Sequence, residues 1–340
     1  MSQKNNWKGK HGPLLIAEIG GNHEGDFEYA KKLTYDAIST DVDYIKFQIY
    51  DGKSLVNKII DEKRFHHFNR FKLSIKQYHE LAKICVDNGK KFMASIWSNE
   101  LIEDFNKYID VYKVGSGDLT SVSILKQLAL IGKPIIISTG LSNLSEVKNS
   151  ITFLRSINQK YNDPNFLSVL QCTSMYPIEH GDAHLNVMKT FKEEFKVSVG
   201  YSDHTIDLKA LKYAFCLGAE VLEFHFTDSR ENKQFRDHKV SLIPVEIHEL
   251  ISEIKLINNL KGNKNKIPLK IEIKNGHVES FRRGVYLNKD VNDGEKIHEN
   301  DLIALRPMKG LSAENFYDLI GLKACRDIKA YEPLKLNYFK

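Results

Sequence analysis

The chain has 340 residues, of which 42% are hydrophobic and 27% are charged. This composition can bury a sizeable core, so it excludes a disordered or fibrous protein. Lysine and arginine (49) exceed aspartate and glutamate (44) only slightly, and the chain lacks the concentrated basic stripe that is typical of a nucleic-acid-binding protein.

Eight short apolar runs alternate with longer amphipathic stretches. The runs cover 14–20, 43–50, 91–97, 111–118, 134–140, 167–177, 197–204 and 221–228. Helical spacing of apolar residues predicts helices between them, among them 27–39, 74–88, 145–158, 205–217 and 244–260. Eight strand–helix units in about 250 residues indicate a (β/α)8 TIM barrel. An open doubly wound sheet is less favoured, because the glycines after the first run lack the G-x-G-x-x-G spacing.

We assign the predicted barrel domain to residues 1–262. The amino-acid composition and the pattern of apolar residues change after it. Residues 263–280 are rich in lysine and asparagine and are predicted to form a linker. Residues 281–340 combine short apolar runs with turn signals and contain no long helical pattern. We therefore expect a second, compact β-rich domain over 281–340, of a size that is only marginally stable alone.

Charged side chains share the lumen-facing parity of several predicted strands. In the last run Glu223 and His225 alternate with apolar residues that must pack under the helices. The same alternation indicates that the lumen also holds Glu18, Lys46 and Lys113. An unpaired buried charge costs several kcal/mol, so these residues are predicted to bind a ligand or a metal. The alternative is an internal network of satisfied salt bridges.

Two histidines close consecutive predicted strands. Neighbouring strands lie about 4.8 Å apart, so the imidazoles of His204 and His225 can reach one divalent cation and leave positions open for water or a carbonyl oxygen. His23, just beyond the first strand, is a weaker candidate for the rim of the site. His67 and most other histidines lie in polar contexts and are given no role.

Lysines and serines next to glycines at the strand ends predict an anion site. Lys46 and Lys113 offer positive charge, and Ser116, Ser138 and Ser202 offer hydroxyl groups. Phosphate is the anion that we expect, because nearby glycines let backbone N–H groups approach it. The alternative for each serine taken alone is a turn or a helix N-cap.

No stretch approaches the roughly 20 apolar residues that a membrane span needs, and residues 1–11 lack the apolar segment of a secretory signal. The four cysteines lie far apart, without a Cys-x-x-Cys pair, which favours reduced thiols over disulfides or a zinc knuckle. We expect a cytoplasmic protein without nucleic-acid or membrane partners.

Eight motifs, in this order, resemble the sialic acid synthase (N-acylneuraminate synthase) family with a C-terminal antifreeze-like (SAF) domain. They are AEIGGNHEG, KFQ, KVGSGD, IISTG, QCTSMYP, GYSDHT, LEFHFTD and LRPMKG, and the resemblance covers nearly the whole chain. It implies condensation of phosphoenolpyruvate with the open-chain aldehyde of an N-acetylated amino sugar, giving a nonulosonic (sialic) acid and phosphate. It also implies a homodimer in which each SAF domain caps the partner's barrel.

The resemblance implies a role for each matching residue. The ligands of a divalent metal, usually manganese, would be His204 and His225. The acid/base carboxylate would be Glu18, with Asp118 and Glu223 at other acidic positions of the site. Phosphoenolpyruvate would be bound by Lys46, Lys113, Ser116, Ser138 and Ser202. The sugar would be bound by Gln48, Ser174, Tyr176, Asp237 and, from the SAF domain, Arg306.

Departures from the family pattern leave the sugar open. Ser174 stands where some bacterial members have asparagine, and Asp118 where some relatives have glutamate. The candidates are N-acetylmannosamine, its 6-phosphate, and the diacetamido-trideoxy sugars that lead to legionaminate or pseudaminate. A metal-dependent pyruvate aldolase, which needs no phosphate site, is one rival interpretation. A non-catalytic carbohydrate-binding or scaffold protein is another, in which the charged lumen would have no purpose.

Overall fold

The computed structural model describes residues 5–340. The chain divides into two compact units, Met1–Gly262 and Asn263–Lys340. We describe each unit by itself. None of the helices formed by residues 5–340 combines the length and the apolarity needed to cross a membrane.

A closed barrel of eight parallel strands forms the first unit, since its first and last strands also pair with each other. A two-residue strand, β1 (Lys8–Gly9), pairs antiparallel with the start of the first barrel strand. The barrel strands, in chain order and in spatial order, are β2 (Gly12–Gly20), β3 (Tyr44–Ile49), β4 (Lys91–Ile96), β5 (Tyr112–Val114), β6 (Ile135–Ser138), β7 (Leu167–Cys172), β8 (Ser198–Asp203) and β9 (Val221–His225). Each predicted run contains one strand, and the (β/α)8 prediction is confirmed.

Helices follow the strands along the chain. They are α1 (Phe27–Ser39), α2 (Gly52–Leu55), α3 (Glu62–Phe71), α4 (Ile75–Asp87), α5 (Asn99–Phe105), α6 (Val122–Ile131), α7 (Leu144–Ile157), α8 (Val187–Phe195), α9 (Lys209–Cys216) and α10 (Pro244–Lys261). Side-chain caps fix several starts: the Asp26 carboxylate accepts from the Tyr29 N–H at α1, and Ser74 forms a capping box at α4. α9 begins four residues later than predicted, because the Asp203 carboxylate accepts hydrogen bonds from the Thr205 backbone and hydroxyl.

The lumen changes character along the barrel axis. At the amino ends of the strands it is filled by apolar side chains, namely Leu14, Ile16, Tyr44, Met93, Val111, Ile136, Leu170 and Val221. Trp7, which precedes β1, packs against this layer and donates its indole N–H to the Pro164 carbonyl oxygen at 2.6 Å. The opposite parity, including Phe224 and Phe226, packs into the core under the helices. The next inward-facing layer, toward the carboxyl ends, is polar and charged.

The second unit has its own small core. Strands β10 (Gly284–Leu287) and β11 (Leu302–Leu305) pair antiparallel, and isolated bridges connect the rest of the unit. Its core consists of Val285, Leu287, Val291, Ile297, Leu302, Leu319, Ala324, Ile328, Leu334 and Phe339. Two short helices, α11 (Lys270–Lys274) and α12 (His277–Ser280), lie in the range predicted as a linker.

Candidate active site

A cavity of about 1180 Å³ lies at the carboxyl ends of the barrel strands. Active sites of TIM barrels are found at this face. The cavity is lined by all the predicted site residues of the barrel, namely Glu18, Lys46, Gln48, Lys113, Ser116, Asp118, Ser138, Ser174, Tyr176, Ser202, His204, Glu223, His225 and Asp237. Arg306 belongs to the second unit, where it is exposed and its guanidinium lies 5.9 Å from the centre of the Phe281 ring.

Glu18 is held by two neighbours on β3. Glu18 and Lys46 are partners in the β2–β3 register, and the Lys46 ammonium donates to Glu18 Oε2. Gln48 Nε2 donates to Glu18 Oε1 at 2.8 Å. Burial alone would lower the pKa of Lys46, but the Glu18 and Glu223 carboxylates raise it above its ordinary value. Both Glu18 oxygens therefore have a fixed partner.

The backbone beside Glu18 depends on Gly20. The β2–β3 register shifts between these two residues, and Gly20 has a φ of 54°. A Cβ at this position would lie 3.0 Å from Glu18 Oε1 and 3.1 Å from Gln48 Nε2. A glycine is therefore needed both for the backbone conformation and for the approach of the two side chains.

Glu223 is the centre of a second set of contacts. Its Oε1 atom lies 3.5 Å from the Lys113 Nζ and 3.8 Å from the Lys46 Nζ, and it accepts from the Ser202 hydroxyl at 3.1 Å. Its Oε2 atom is buried and has no hydrogen-bond partner. Burial opposes ionisation, but Lys113 and Lys46 hold the pKa of Glu223 below its usual value. One carboxylate oxygen thus remains available for a ligand.

Lys113 is the less well compensated of the two lysines. It donates to the Ser138 hydroxyl at 2.7 Å. Burial lowers its pKa and Lys46 adds to this effect, and together they outweigh the attraction of Glu223. The lumen charges are thus paired with one another, as in the salt-bridge alternative, but they line an open cavity instead of filling it.

The two predicted metal-ligating histidines lie side by side, with ring centroids 5.4 Å apart. His204 Nδ1 lies 2.7 Å from the Thr173 carbonyl oxygen, so it carries the proton and leaves the Nε2 lone pair free. His225 Nδ1 is buried without a hydrogen-bond partner, 3.9 Å from Asp237 Oδ2. Burial, with the charges of His204 and Lys46, lowers the pKa of His225 well below its ordinary value. A neutral imidazole with an unused nitrogen fits a metal ligand.

The surroundings of the imidazole pair limit the number of protein ligands. Cys172 Sγ lies 3.9 Å from His204 Nδ1 and raises the pKa of His204 against the effect of burial. A bound cation would compete with that proton. Within residues 5–340 no group of three or more His, Cys, Asp or Glu side chains could hold a metal together. The pair can therefore supply two nitrogen ligands, leaving the other positions to substrate and water.

Two aspartates in the cavity are poised to titrate near neutral pH. Burial raises the pKa of Asp118 to about 6, although Lys113 opposes the shift. Burial also raises the pKa of Asp237 to about 6, against the Arg236 guanidinium, whose Nε lies 3.2 Å from Asp237 Oδ1. Both carboxyls can exchange a proton in the physiological range.

Three residues of the serine- and glycine-rich loops pack against each other. The Gly140 N–H donates to the Ser116 hydroxyl at 3.0 Å. A Cβ at Gly140 would lie 2.1 Å from Ser174 Oγ and 2.9 Å from Ser116 Oγ. The glycine therefore allows the loops after β5, β6 and β7 to meet at the wall of the cavity.

Sequence reasoning missed the outer rim of the cavity. Three arginines and several aromatic residues line it, including Tyr50, Arg64, His67, Phe68, Arg70, Phe71, Trp97, Phe235 and Arg236. His67, for which we predict no role from the sequence, also lines the cavity. A helical reading of 62–71 would have found this set, because 64, 67, 68 and 71 share one helix face. His23 is buried and does not line the cavity, so it is not a rim residue.

Comparisons with known proteins identify the family of each part of the chain. Residues 33–266 match the NeuB family, and residues 282–339 match the SAF domain. The chain is 31% identical to the N,N'-diacetyllegionaminic acid synthase of Campylobacter jejuni, over 95% of this chain and 98% of that protein. It is 30% identical to the N-acetylneuraminate-9-phosphate synthase of Homo sapiens, over 93% and 89%. The crystal structure of the sialic acid synthetase of Leptospira borgpetersenii superposes with a TM-score of 0.69 at 25% identity, covering 78% of this chain and 90% of that one.

Proposed function

The chain belongs to the NeuB family, and from this premise we propose that it condenses phosphoenolpyruvate with the open-chain aldehyde of an N-acylated amino sugar. The products are a nonulosonic acid and phosphate. The observation that carries the proposal is the cluster of Glu18, Lys46, Lys113 and Glu223 beside the imidazole pair, in one cavity at the catalytic face of the barrel.

The two lysines distinguish this reaction from that of a pyruvate aldolase, which needs no phosphate site. Phosphoenolpyruvate carries a phosphate and a carboxylate, and ammonium groups in a buried site attract both strongly. Lys113 and Ser138, in contact at 2.7 Å, offer hydrogen-bond donors to the phosphate. Ser116 and Ser202 add hydroxyls to the wall of the cavity.

The reaction balances with one water molecule. C3 of phosphoenolpyruvate forms a bond to the aldehyde carbon of the sugar, whose oxygen takes a proton. Water adds to C2 and gives one proton, through Glu18, to the sugar oxygen. The bond between C2 and the phosphate oxygen then breaks, the C2 hydroxyl passes its remaining proton to the departing phosphate, and a 2-keto acid is left. Glu18 accepts the proton from water, and its orientation is fixed by Lys46 and Gln48. Lys113 stabilises the departing phosphate.

The imidazole pair fits a divalent metal, for which we propose Mn²⁺. His204 and His225 would supply nitrogen ligands, supported by the unpartnered Nδ1 of His225 and the carbonyl that fixes the tautomer of His204. When bound, the metal would polarise the aldehyde carbonyl of the sugar. Calorimetric titration with Mn²⁺ tests the assignment without an activity assay: we expect one site per chain, lost in His204→Ala and in His225→Ala.

We also propose that Arg306 acts on the sugar in the barrel of a partner subunit. The family resemblance supports a swapped homodimer, and Arg306 is exposed within its own domain. A mixture of chains tests this. His225→Ala and Arg306→Ala homodimers should each be nearly inactive, whereas dimers reassembled from both should regain activity through barrels that pair intact His225 with the intact Arg306 of the other chain. No recovery after exchange of the subunits would contradict action in trans.

The free cysteines and the proposed substrate support a cellular compartment for the protein. The four cysteines are all free, which fits a reducing environment, and phosphoenolpyruvate is a glycolytic metabolite. We infer that the enzyme works in the cytoplasm.

Phosphate release tests the function itself. The protein would be assayed with phosphoenolpyruvate, Mn²⁺ and a panel of acceptors: N-acetylmannosamine, its 6-phosphate and the diacetamido-trideoxy sugars. We expect phosphate and a 2-keto acid in equal amounts with at least one acceptor and only a slow background without one. If the folded protein releases no phosphate with any of these acceptors, the proposal is refuted. A product made from pyruvate in place of phosphoenolpyruvate would favour the aldolase.

A further inference from the structure

Three arginines line the mouth of the cavity. Arg64 and Arg70 belong to α3, and Arg236 belongs to the loop after β9; all three are exposed. The two elements meet at the mouth, since the ring of His67 on α3 lies 5.9 Å from the ring of Phe235, the residue before Arg236. The three guanidinium groups therefore lie on one rim of the same cavity.

These positive charges are poorly compensated by the protein. Arg236 contacts Asp237, with 3.2 Å between Nε and Oδ1. Within residues 5–340 no ion pair joins the guanidinium of Arg64 or Arg70 to a carboxylate, and the Asp61 carboxylate caps α3 by accepting from the Arg64 backbone N–H. Glu62 pairs with His66, and Asp51 pairs with Lys72. Glu24, which also lines the cavity, contacts His238 at 3.3 Å.

Aromatic rings place the guanidinium groups. Arg64 lies over Phe68 at 5.7 Å, Arg70 over Phe71 at 4.9 Å, and Arg236 over Tyr176 at 4.7 Å, measured to the ring centroids. Stacking restricts the orientation of a guanidinium and leaves its N–H edge free to bind an anion. Phe235 joins the two elements, since its ring lies 4.9 Å from that of Phe71.

The arginines are near the imidazole pair but not part of it. The Tyr176 ring, over which Arg236 stacks, has its centroid 4.0 Å from that of the His204 ring and 5.5 Å from that of the His225 ring. A sugar whose aldehyde carbon lies beside the imidazoles must extend toward the mouth, because the inner end of the cavity holds the Lys46–Glu18 and Lys113–Glu223 contacts. Its far end then meets the arginines.

We propose that Arg64, Arg70 and Arg236 form a second anion subsite, and that the acceptor sugar carries a phosphomonoester at the end remote from its aldehyde. This inference rests on the proposed function and deepens it. A dianionic phosphate offers oxygen atoms to several guanidinium groups at once. A 6-deoxy sugar has only a methyl group at that end and would leave the three charges without a ligand.

The test compares acceptors that differ only in the phosphate. Initial rates of phosphate release are measured at saturating phosphoenolpyruvate with N-acetylmannosamine, with its 6-phosphate and with a 2,4-diacetamido-2,4,6-trideoxyhexose. We expect kcat/KM to be at least about tenfold higher for the 6-phosphate, the effect of about one charge-assisted hydrogen bond. Raising the ionic strength should reduce this preference, because the arginines are exposed.

Substitutions of the arginines test whether these residues cause the preference for the 6-phosphate. Arg64→Gln and Arg70→Gln should each lower kcat/KM for the 6-phosphate by about tenfold and leave kcat/KM for N-acetylmannosamine and the KM for phosphoenolpyruvate unchanged. Arg64→Lys should keep part of the preference, since the charge remains. The matched control is Lys189→Gln on α8, which removes an exposed positive charge far along the chain from these loops and should alter no parameter.

The outcomes separate the two proposals. Equal kcat/KM for the two mannosamines, a best rate with the trideoxy sugar, or arginine variants that raise the KM for phosphoenolpyruvate would each overturn the subsite while leaving the synthase function intact. If the folded protein releases no phosphate with any of the acceptors, the synthase function is refuted. Calorimetry would then test the subsite by itself. Tighter binding of N-acetylmannosamine 6-phosphate than of N-acetylmannosamine, with the difference abolished in Arg64→Gln, supports the subsite. Equal binding of the two sugars overturns it.

Discussion

Replacing Lys113 with methionine tests the ionic cluster at the inner end of the cavity. The Lys113 Nζ lies 3.5 Å from Glu223 Oε1. At an effective dielectric constant of about 20, this separation corresponds to a gross attraction of about 5 kcal/mol. Without Lys113, Glu18 and Glu223 share one ammonium, that of Lys46, in a buried site. Because breaking a buried pair costs about 3–5 kcal/mol, we expect Lys113→Met to lower the free energy of unfolding of the barrel by about 3 kcal/mol.

Urea denaturation followed by tryptophan fluorescence measures this change in the barrel alone. The chain has two tryptophans, and both Trp7 and Trp97 belong to the first unit. A double-mutant cycle with Glu223→Gln isolates the pair. The double variant should be less destabilised than the sum of the single variants, by about 2 kcal/mol. A loss below about 0.5 kcal/mol in Lys113→Met, or additive effects in the cycle, would refute the reasoning.

The stability difference between wild type and Lys113→Met should depend on pH in one direction. The folded-state pKa of Glu223 lies below its ordinary value of 4.5, so its ionised form stabilises the fold above that value, and this contribution is lost as the pH falls through the folded-state pKa. The difference between wild type and Lys113→Met should therefore be full at pH 7 and shrink below about pH 4. A difference that grows on acidification would contradict the assignment.

Three further variants follow from the site. His225→Ala should lower the rate of phosphate release at least about a hundredfold. It should lower the free energy of unfolding by less than about 1 kcal/mol, because His225 Nδ1 has no hydrogen bond to lose. A loss of stability as severe as the loss of activity would show that the histidine is structural. Gly140→Ala should reduce activity at least about tenfold through contact with Ser174, whereas Gly181→Ala, with open space at its Cβ, should not; equal effects would contradict the packing argument. Because the folded-state pKa of Asp118 is raised from 3.8 to about 6, the stability that its protonated form contributes is full below about pH 4 and is lost as the pH rises to about 6. Asp118→Asn should abolish that loss of stability in urea titrations between about pH 4 and pH 7, and an unchanged pH profile would show that Asp118 does not cause it.

The barrel and its inner charges were predictable from the sequence for a physical reason. Strand alternation alone separates Glu223 and His225 from Leu222 and Phe224, and the structure places the first pair in the cavity and the second pair under the helices. Only one arrangement of such a strand keeps its apolar parity in the core. The register that brings Lys46 opposite Glu18 follows from the closure of the barrel.

The rim was not predicted by the same means. The sequence of α3 carries a helical spacing of Phe65, Phe68 and Phe71, but only Phe71 is buried. The position of the helix depends on contacts with a distant segment, such as that between Phe71 and Phe235. The delayed start of α9 has a local cause instead, since the Asp203 carboxylate competes for Thr205. Patterns of apolar residues identify the core, and they do not identify which exposed side chains, such as Arg64, line the cavity.

The Trp7 indole and the apolar layer beneath the charged cluster close the lumen of the barrel at the amino ends of its strands. A small molecule lodged beside Lys46 and Lys113 has entered past the arginines at the mouth, and a bulkier one behind it stands between it and solvent. Any ligand of the charged cluster must therefore enter and leave through the mouth of the cavity.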